Sequence, residues 1–187
     1  MEFKRWLIES DWDEYLVKYG CDGWTDADNW GKCGASGMIV IAKDTGNILL
    51  DKRSAAVDGG AAWGTFGGAI DKVDKDAGES AKDELKQETG YSGPIQLVPA
   101  YRYEDPNDVL SNGKPWFYQN YIGIVPQQFN TQATASAQWE TEGGQWFDPE
   151  EVLSMNVPDL PMHMGLKALI AHSGDKIRTI CDKFINR

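Results

Sequence analysis

Glu84 and Glu88 stand four residues apart in the segment DAGESAKDELKQETGY, whose pattern is that of a short helix. At helical spacing, two such carboxylates lie on one face, one turn above the other. The helix boundaries are marked by Asp76, placed to cap the N-terminus with Glu79 at capping-box spacing, and by Gly90, a left-handed C-terminal stop. Both acids therefore fall in the last two turns, where the helix dipole disfavours an exposed anion by roughly 0.3 to 1 kcal/mol. Like charges at this spacing add a similar penalty. A solvated helix face would tolerate both costs, whereas a bound divalent cation would turn them into a binding site. Hard Mg²⁺ suits such a pair, because it takes few protein carboxylates and leaves positions for water and a substrate phosphate.

Such a helix needs a scaffold. Ala77, Ala81 and Leu85 form a narrow apolar stripe on another of its faces. Upstream, the β-branched run Met38 to Ala42, the turn Asp44-Thr45-Gly46-Asn47 and Ile48 to Leu50 read as a β-hairpin. A Gly- and Ala-rich loop then leads into Trp63-Gly64-Thr65-Phe66-Gly67-Gly68. Strand patterns return at Ile95 to Tyr103, at Trp116 to Val125 and, briefly, at Gln145 to Phe147. Residues 161–184 carry a helical stripe that Ser173-Gly174 is expected to bend or break. Strands, a central helix, more strands and a terminal helix predict an α/β layered domain with a mixed sheet. Phe3, Trp6, Leu7, Tyr15, Leu16 and Tyr19 suggest that residues 1–36 form an extension, a helix and loop docked on a domain spanning 37–187.

Composition narrows the partners. With 18 Lys plus Arg against 29 Asp plus Glu, the net charge is -11 and no basic run stands out, which disfavours contact with long nucleic acid. An acidic protein handles a small polyanion when divalent cations become the largest local charges. Cys21, Cys33 and Cys181 are widely spaced and odd in number, so neither a disulfide framework nor a zinc site is expected, and a reducing cytoplasm is the default location. No stretch approaches the roughly 18 to 20 apolar residues of a membrane span, and the charged start MEFKRWLIESDWDEYL does not read as a signal peptide. His163 and His172 are too far apart to suggest a metal pair.

The stretch Gly67 to Tyr91 resembles the Nudix box, a glycine and an upstream glutamate followed by Arg-Glu-apolar-x-Glu-Glu-x-Gly-apolar. Here the second half reads Asp83-Glu84-Leu85-Lys86-Gln87-Glu88-Thr89-Gly90-Tyr91. WGTFGGAID, WFYQNYIGIVP, WETEGGQWF and PMHMGL extend the resemblance over residues 37–171. It implies a Nudix-type α/β/α sandwich and a Mg²⁺-dependent hydrolase, with Mn²⁺ as an alternative ion. The substrate implied is a nucleoside diphosphate derivative: a nucleotide sugar, ADP-ribose, a dinucleotide or a nucleoside triphosphate. Glu84, Glu88 and the backbone of Gly67 then take the metal-binding positions, and homodimers are common in the family. Glu140, in Trp139-Glu140-Thr141-Glu142, matches a loop carboxylate that binds metal or orients water, with Glu142 as the other candidate.

Three positions depart from this pattern. Gln87 replaces a third metal-binding glutamate and offers at most a carbonyl oxygen. Asp83 replaces the arginine, and Asp74 falls at the upstream glutamate if one extra residue is allowed, so the family's Arg–Glu bridge has two acids in its place. The alternative expectation is therefore a Nudix-like nucleotide-binding or regulatory domain without turnover. Trp63, Trp116, Phe117, Tyr118 and Tyr121 are candidates for stacking on a base, although strand aromatics more often fill a core.

Overall fold

The apolar run of the first hairpin is buried along its whole length, from Ala35 to Ala42, because this strand, β1, has a helix on each side. Its even-numbered residues Met38, Val40 and Ala42 turn to one face, and Ile39 and Ile41 turn to the other. In the computed structural model, residues 31–57, 59–71, 75–110 and 114–185 are described. The expected N-terminal helix, Cys21 and Asp74 lie outside them.

Six further strands complete one mixed sheet: β2 (Ile48–Arg53), β3 (Trp63–Gly64), β4 (Phe66–Ala69), β5 (Gln96–Val109), β6 (Pro115–Val125) and β7 (Thr141–Phe147). The main order is β3-β2-β1-β6-β5, with β4 paired to β1 and β7 paired to β2. Only β1 and β6 run parallel; the other pairs are antiparallel. Helix α1 (Ala77–Thr89) covers one face, and a short helix α2 (Pro149–Leu153) and the long α3 (Met164–Ile185) cover the other. This is the expected α/β/α sandwich.

Helix α3 runs unbroken through Ser173-Gly174, contrary to the expected bend. A helical glycine costs only about 1 kcal/mol relative to alanine. Against that, Leu166, Leu169, Ile170, Ile177, Ile180 and Cys181 bury a continuous stripe on the sheet. Helix α2 was not legible as a helix, being five residues long, but Asp148 and Glu151 close a capping box around it. Among the candidate base-stacking residues, Trp63 belongs to this apolar core, edge-on to Phe147, with its indole N–H donated to Pro158 O. Phe117 lies beneath the Arg102 guanidinium, 3.9 Å from its centroid.

Candidate functional site

Helix α1 is short and carries few large apolar groups, so polar contacts at its ends fix its place. Asp76 accepts hydrogen bonds from the N–H groups of Gly78 and Glu79, while Glu79 pairs with Lys82 instead of closing the capping box. Gly90 adopts φ 73° and donates its N–H to Lys86 O. Beyond the stop, the Gln132 and Thr134 N–H groups donate to Thr89 O and Gln87 O, which ties the helix end to the loop leading to Glu140. Ala81 and Leu85 face the sheet.

This seating aims Glu84 and Glu88 at β4. Glu88 is only 3% exposed and accepts a hydrogen bond from the Gly67 N–H at 3.0 Å. A Cβ on Gly68 would stand 2.7 Å from a Glu84 carboxyl oxygen, so the second glycine of the pair makes room for that acid. Glu140 arrives from the far side, just before β7, its carbonyl accepting from the Ser54 N–H. The Glu84, Glu88 and Glu140 carboxylates each bring an oxygen within 4.8 Å of the others. Glu142, the other loop candidate, points to solvent and pairs with Lys52 at 2.7 Å. Gln87 is exposed, and its ordered link is through its backbone carbonyl.

Asp51 on β2 is a fourth carboxylate that the sequence did not single out. It is 1% exposed, accepts a hydrogen bond from the Thr141 hydroxyl, and its charge acts on Glu88. Burial, with a contribution from Glu140, pushes its carboxyl up to about 7 despite the Thr141 bond and the nearby Arg53. Glu88 is held well above the usual carboxylate range, first by burial and then by Asp51, Glu84 and Glu140, against the lowering effect of the Gly67 N–H. Buried carboxylates this close repel unless one is protonated or a cation lies among them. An all-oxygen set, crowded and partly dry, fits a hard divalent ion. Arg53 acts on both Asp51 and the half-buried Tyr118, whose hydroxyl lies 3.2 Å from the Thr65 hydroxyl. The missing signal for Asp51 and Arg53 was tertiary: in ILLDKR they read as ordinary polar strand residues.

The gap expected at Asp83 is bridged. Lys75 lies 2.7 Å from Asp71 and 3.0 Å from Asp83, so a cation between two acids ties the loop before α1 to its second turn. Burial draws the Lys75 pKa down, but hydrogen bonds to Asp71 and Asp83 outweigh it and hold it above its ordinary value. The cysteine expectation changes too: Cys33 is disulfide-bonded, whereas Cys181 is a free, buried thiol. Among the described residues no helix is long and apolar enough to cross a membrane. Open grooves of about 710 Å³ and 790 Å³ run beside α3, and none of the four carboxylates lines either one.

A sheet layered between helices, with acids from a capped helix converging on a Gly-Gly strand, defines a class of hydrolase built around oxygen ligands. The family model described as NUDIX domain matches residues 33–170, and the chain belongs to that family, whose enzymes are the Nudix pyrophosphohydrolases. Solved structures agree in fold. A Nudix hydrolase from M. smegmatis, RenU, is 24% identical, with TM-score 0.60 over 86% of this chain and 95% of that one. The NUDIX domain of Shewanella oneidensis NrtR, complexed with ADP ribose, is 17% identical, with TM-score 0.56 over 88% and 97%. A C. elegans Ap4A hydrolase binary complex is 19% identical, with TM-score 0.51 over 78% and 98%. No curated protein matches the chain significantly in sequence.

Proposed function

We propose that this protein is a Mg²⁺-dependent hydrolase that cleaves the diphosphate linkage of a small nucleoside diphosphate derivative, with Mn²⁺ able to replace Mg²⁺. The observation that carries the reading is the convergence of Glu84, Glu88 and Glu140 within 4.8 Å beside Gly67. Similarity in fold to a domain complexed with ADP ribose and to an Ap4A hydrolase supports the substrate class. We propose that it acts without long nucleic acid or membrane and as a homodimer, as many of its family do.

Glu84 and Glu88 would hold the ion, with the Gly67 carbonyl as a backbone ligand. A divalent ion there supplies charge neutralisation for the diphosphate oxygens and lowers the pKa of a bound water. Glu140, reaching in from a separate loop, is the group placed to bind the ion or to accept the proton of the attacking water. Arg53, which carries positive charge at the edge of an acidic cluster, would meet a substrate phosphate. Gln87, whose side chain is exposed, is not needed to complete this set of acids.

The rival reading, a nucleotide-binding domain without turnover, rested on Asp83 and Gln87. The Lys75 bridge supports α1 without the family's arginine, and the departures leave the three-acid cluster complete. A panel of nucleoside diphosphate derivatives assayed with Mg²⁺ and Mn²⁺ tests both readings. Turnover of at least one compound, abolished by Glu88→Gln, supports the hydrolase; tight binding with no turnover of any compound overturns it.

A further inference from the structure

Glu140 belongs to a different part of the chain from Glu84 and Glu88, at the end of a loop that the Gln132 and Thr134 N–H groups tie to the end of α1. Its carbonyl is held by the Ser54 N–H at 2.8 Å and its N–H reaches Ala137 O at 2.9 Å, both of them backbone contacts. The next residue, Thr141, is different. Its side chain is 3% exposed and donates its hydroxyl to Asp51, itself buried on β2. The same hydroxyl oxygen accepts the Gly143 N–H at 2.8 Å, so one side chain joins the first turn of β7 to the strand beside it. At this point the β2–β7 pairing shifts register between Asp51 and Arg53, with Arg53 opposite Thr141. A bulge loosens the regular ladder. A buried side-chain bond there substitutes for the ladder that the bulge interrupts.

We infer that Asp51 is a positioning residue of the metal site: through its bond to Thr141 it fixes the entry of β7 and thereby holds the Glu140 carboxylate against Glu84 and Glu88. The inference rests on the proposed metal role of those three acids and adds the device that brings the third to the other two. Asp51 supports the ligand from behind, in the manner of outer-shell partners that orient first ligands. It needs no contact with the ion or the substrate. A second buried acid beside the cluster, otherwise an electrostatic burden, thereby has a reason to be there.

The test measures Mn²⁺ binding to the substrate-free protein by titration calorimetry and by the electron paramagnetic resonance of free Mn²⁺. Thr141→Val and Asp51→Ala are each expected to weaken binding by roughly ten-fold or more, the usual consequence of removing such a partner. Thr141→Ser, which keeps the hydroxyl, restores affinity to within about two-fold of wild type. In a Glu140→Gln background Thr141→Val has no further effect, since the hydroxyl acts through Glu140. Circular dichroism and the thermal midpoint of each variant identify any that has lost its fold, and Thr141→Ser and Thr141→Val then still bracket the hydroxyl. If Glu88→Gln abolishes binding while Thr141→Val and Asp51→Ala bind as wild type, the positioning role is overturned and the metal site stands. If Asp51→Ala weakens binding but Thr141→Val does not, Asp51 acts by charge alone and the inference fails. If Glu88→Gln binds as wild type, the site reading and the inference fall together.

Discussion

The two faces of the sheet are covered by helices held in opposite ways. Helix α3 is long and buries Leu166, Leu169, Ile170, Ile177, Ile180 and Cys181 on one side of β1 and β6. Helix α1 is shorter, brings only Ala81 and Leu85 as buried apolar groups, and also buries Glu88. Its place depends on a cap, a glycine stop, the Lys75 bridge and the clamp from Gln132 and Thr134. Burial of apolar area is nondirectional and tolerant, and it suits a helix that only has to cover a core. Aiming carboxylates at a shared point needs directional contacts, and those carboxylates cost stability when no cation is present. The face on which the acids converge is thus the less favourable one to build.

Substitutions on the two faces should separate activity from stability. The largest effect expected is on turnover: Glu88→Gln lowers the hydrolysis rate by roughly a thousand-fold, as loss of several kcal/mol of metal-assisted stabilisation implies. The same variant keeps or raises the thermal midpoint in EDTA, because a neutral amide replaces a buried acid surrounded by like charge. A fall in both activity and midpoint would erase the contrast between the faces. Next, Leu169→Ala on α3 removes a fully buried side chain and should cost about 2–5 kcal/mol in denaturant unfolding, with Mn²⁺ affinity unchanged in the folded protein.

The pH dependence comes third in size. Asp51 has an ordinary value near 3.8 and sits at about 7 when folded, so it is a group whose pKa folding raises. Its contribution is fully present below about 3.8 and is lost as pH rises through about 7, with each unit of displacement worth about 1.4 kcal/mol. Metal-free protein should lose stability across that window relative to Asp51→Asn, and saturating Mn²⁺ should remove the difference by pairing with the ionised acids. Parallel stability profiles of the two proteins in EDTA would contradict this. Smallest is Lys75→Met, which breaks a partly exposed bridge and should cost about 1 kcal/mol or less, screened by salt, without altering Mn²⁺ binding. A Mn²⁺ affinity that falls with it would show the bridge to be part of the site.

Much of this architecture was legible because its signals are local. The cap at Asp76, the stop at Gly90, the hairpin turn and the two-residue period of β1 are written within a few neighbouring positions. Glu84 and Glu88 share a face because of helical periodicity, and their approach to the Gly67-Gly68 strand followed from the family resemblance. Gly174 misled because propensity is a weak force beside a long buried stripe. Asp83 misled because its partner, Lys75, had not been paired with it by spacing alone.

By itself the sequence determined where the helices and main strands lie, the family, and the acidic pair on one turn-spaced face, since each depends on short-range periodicity and backbone preference. Only the tertiary structure decided which loop acid joins that pair and that Asp51 and Arg53 stand beside them. Those outcomes turn on which strands lie side by side, and strand pairing brings together residues such as Asp51 and Thr141 that lie far apart along the chain.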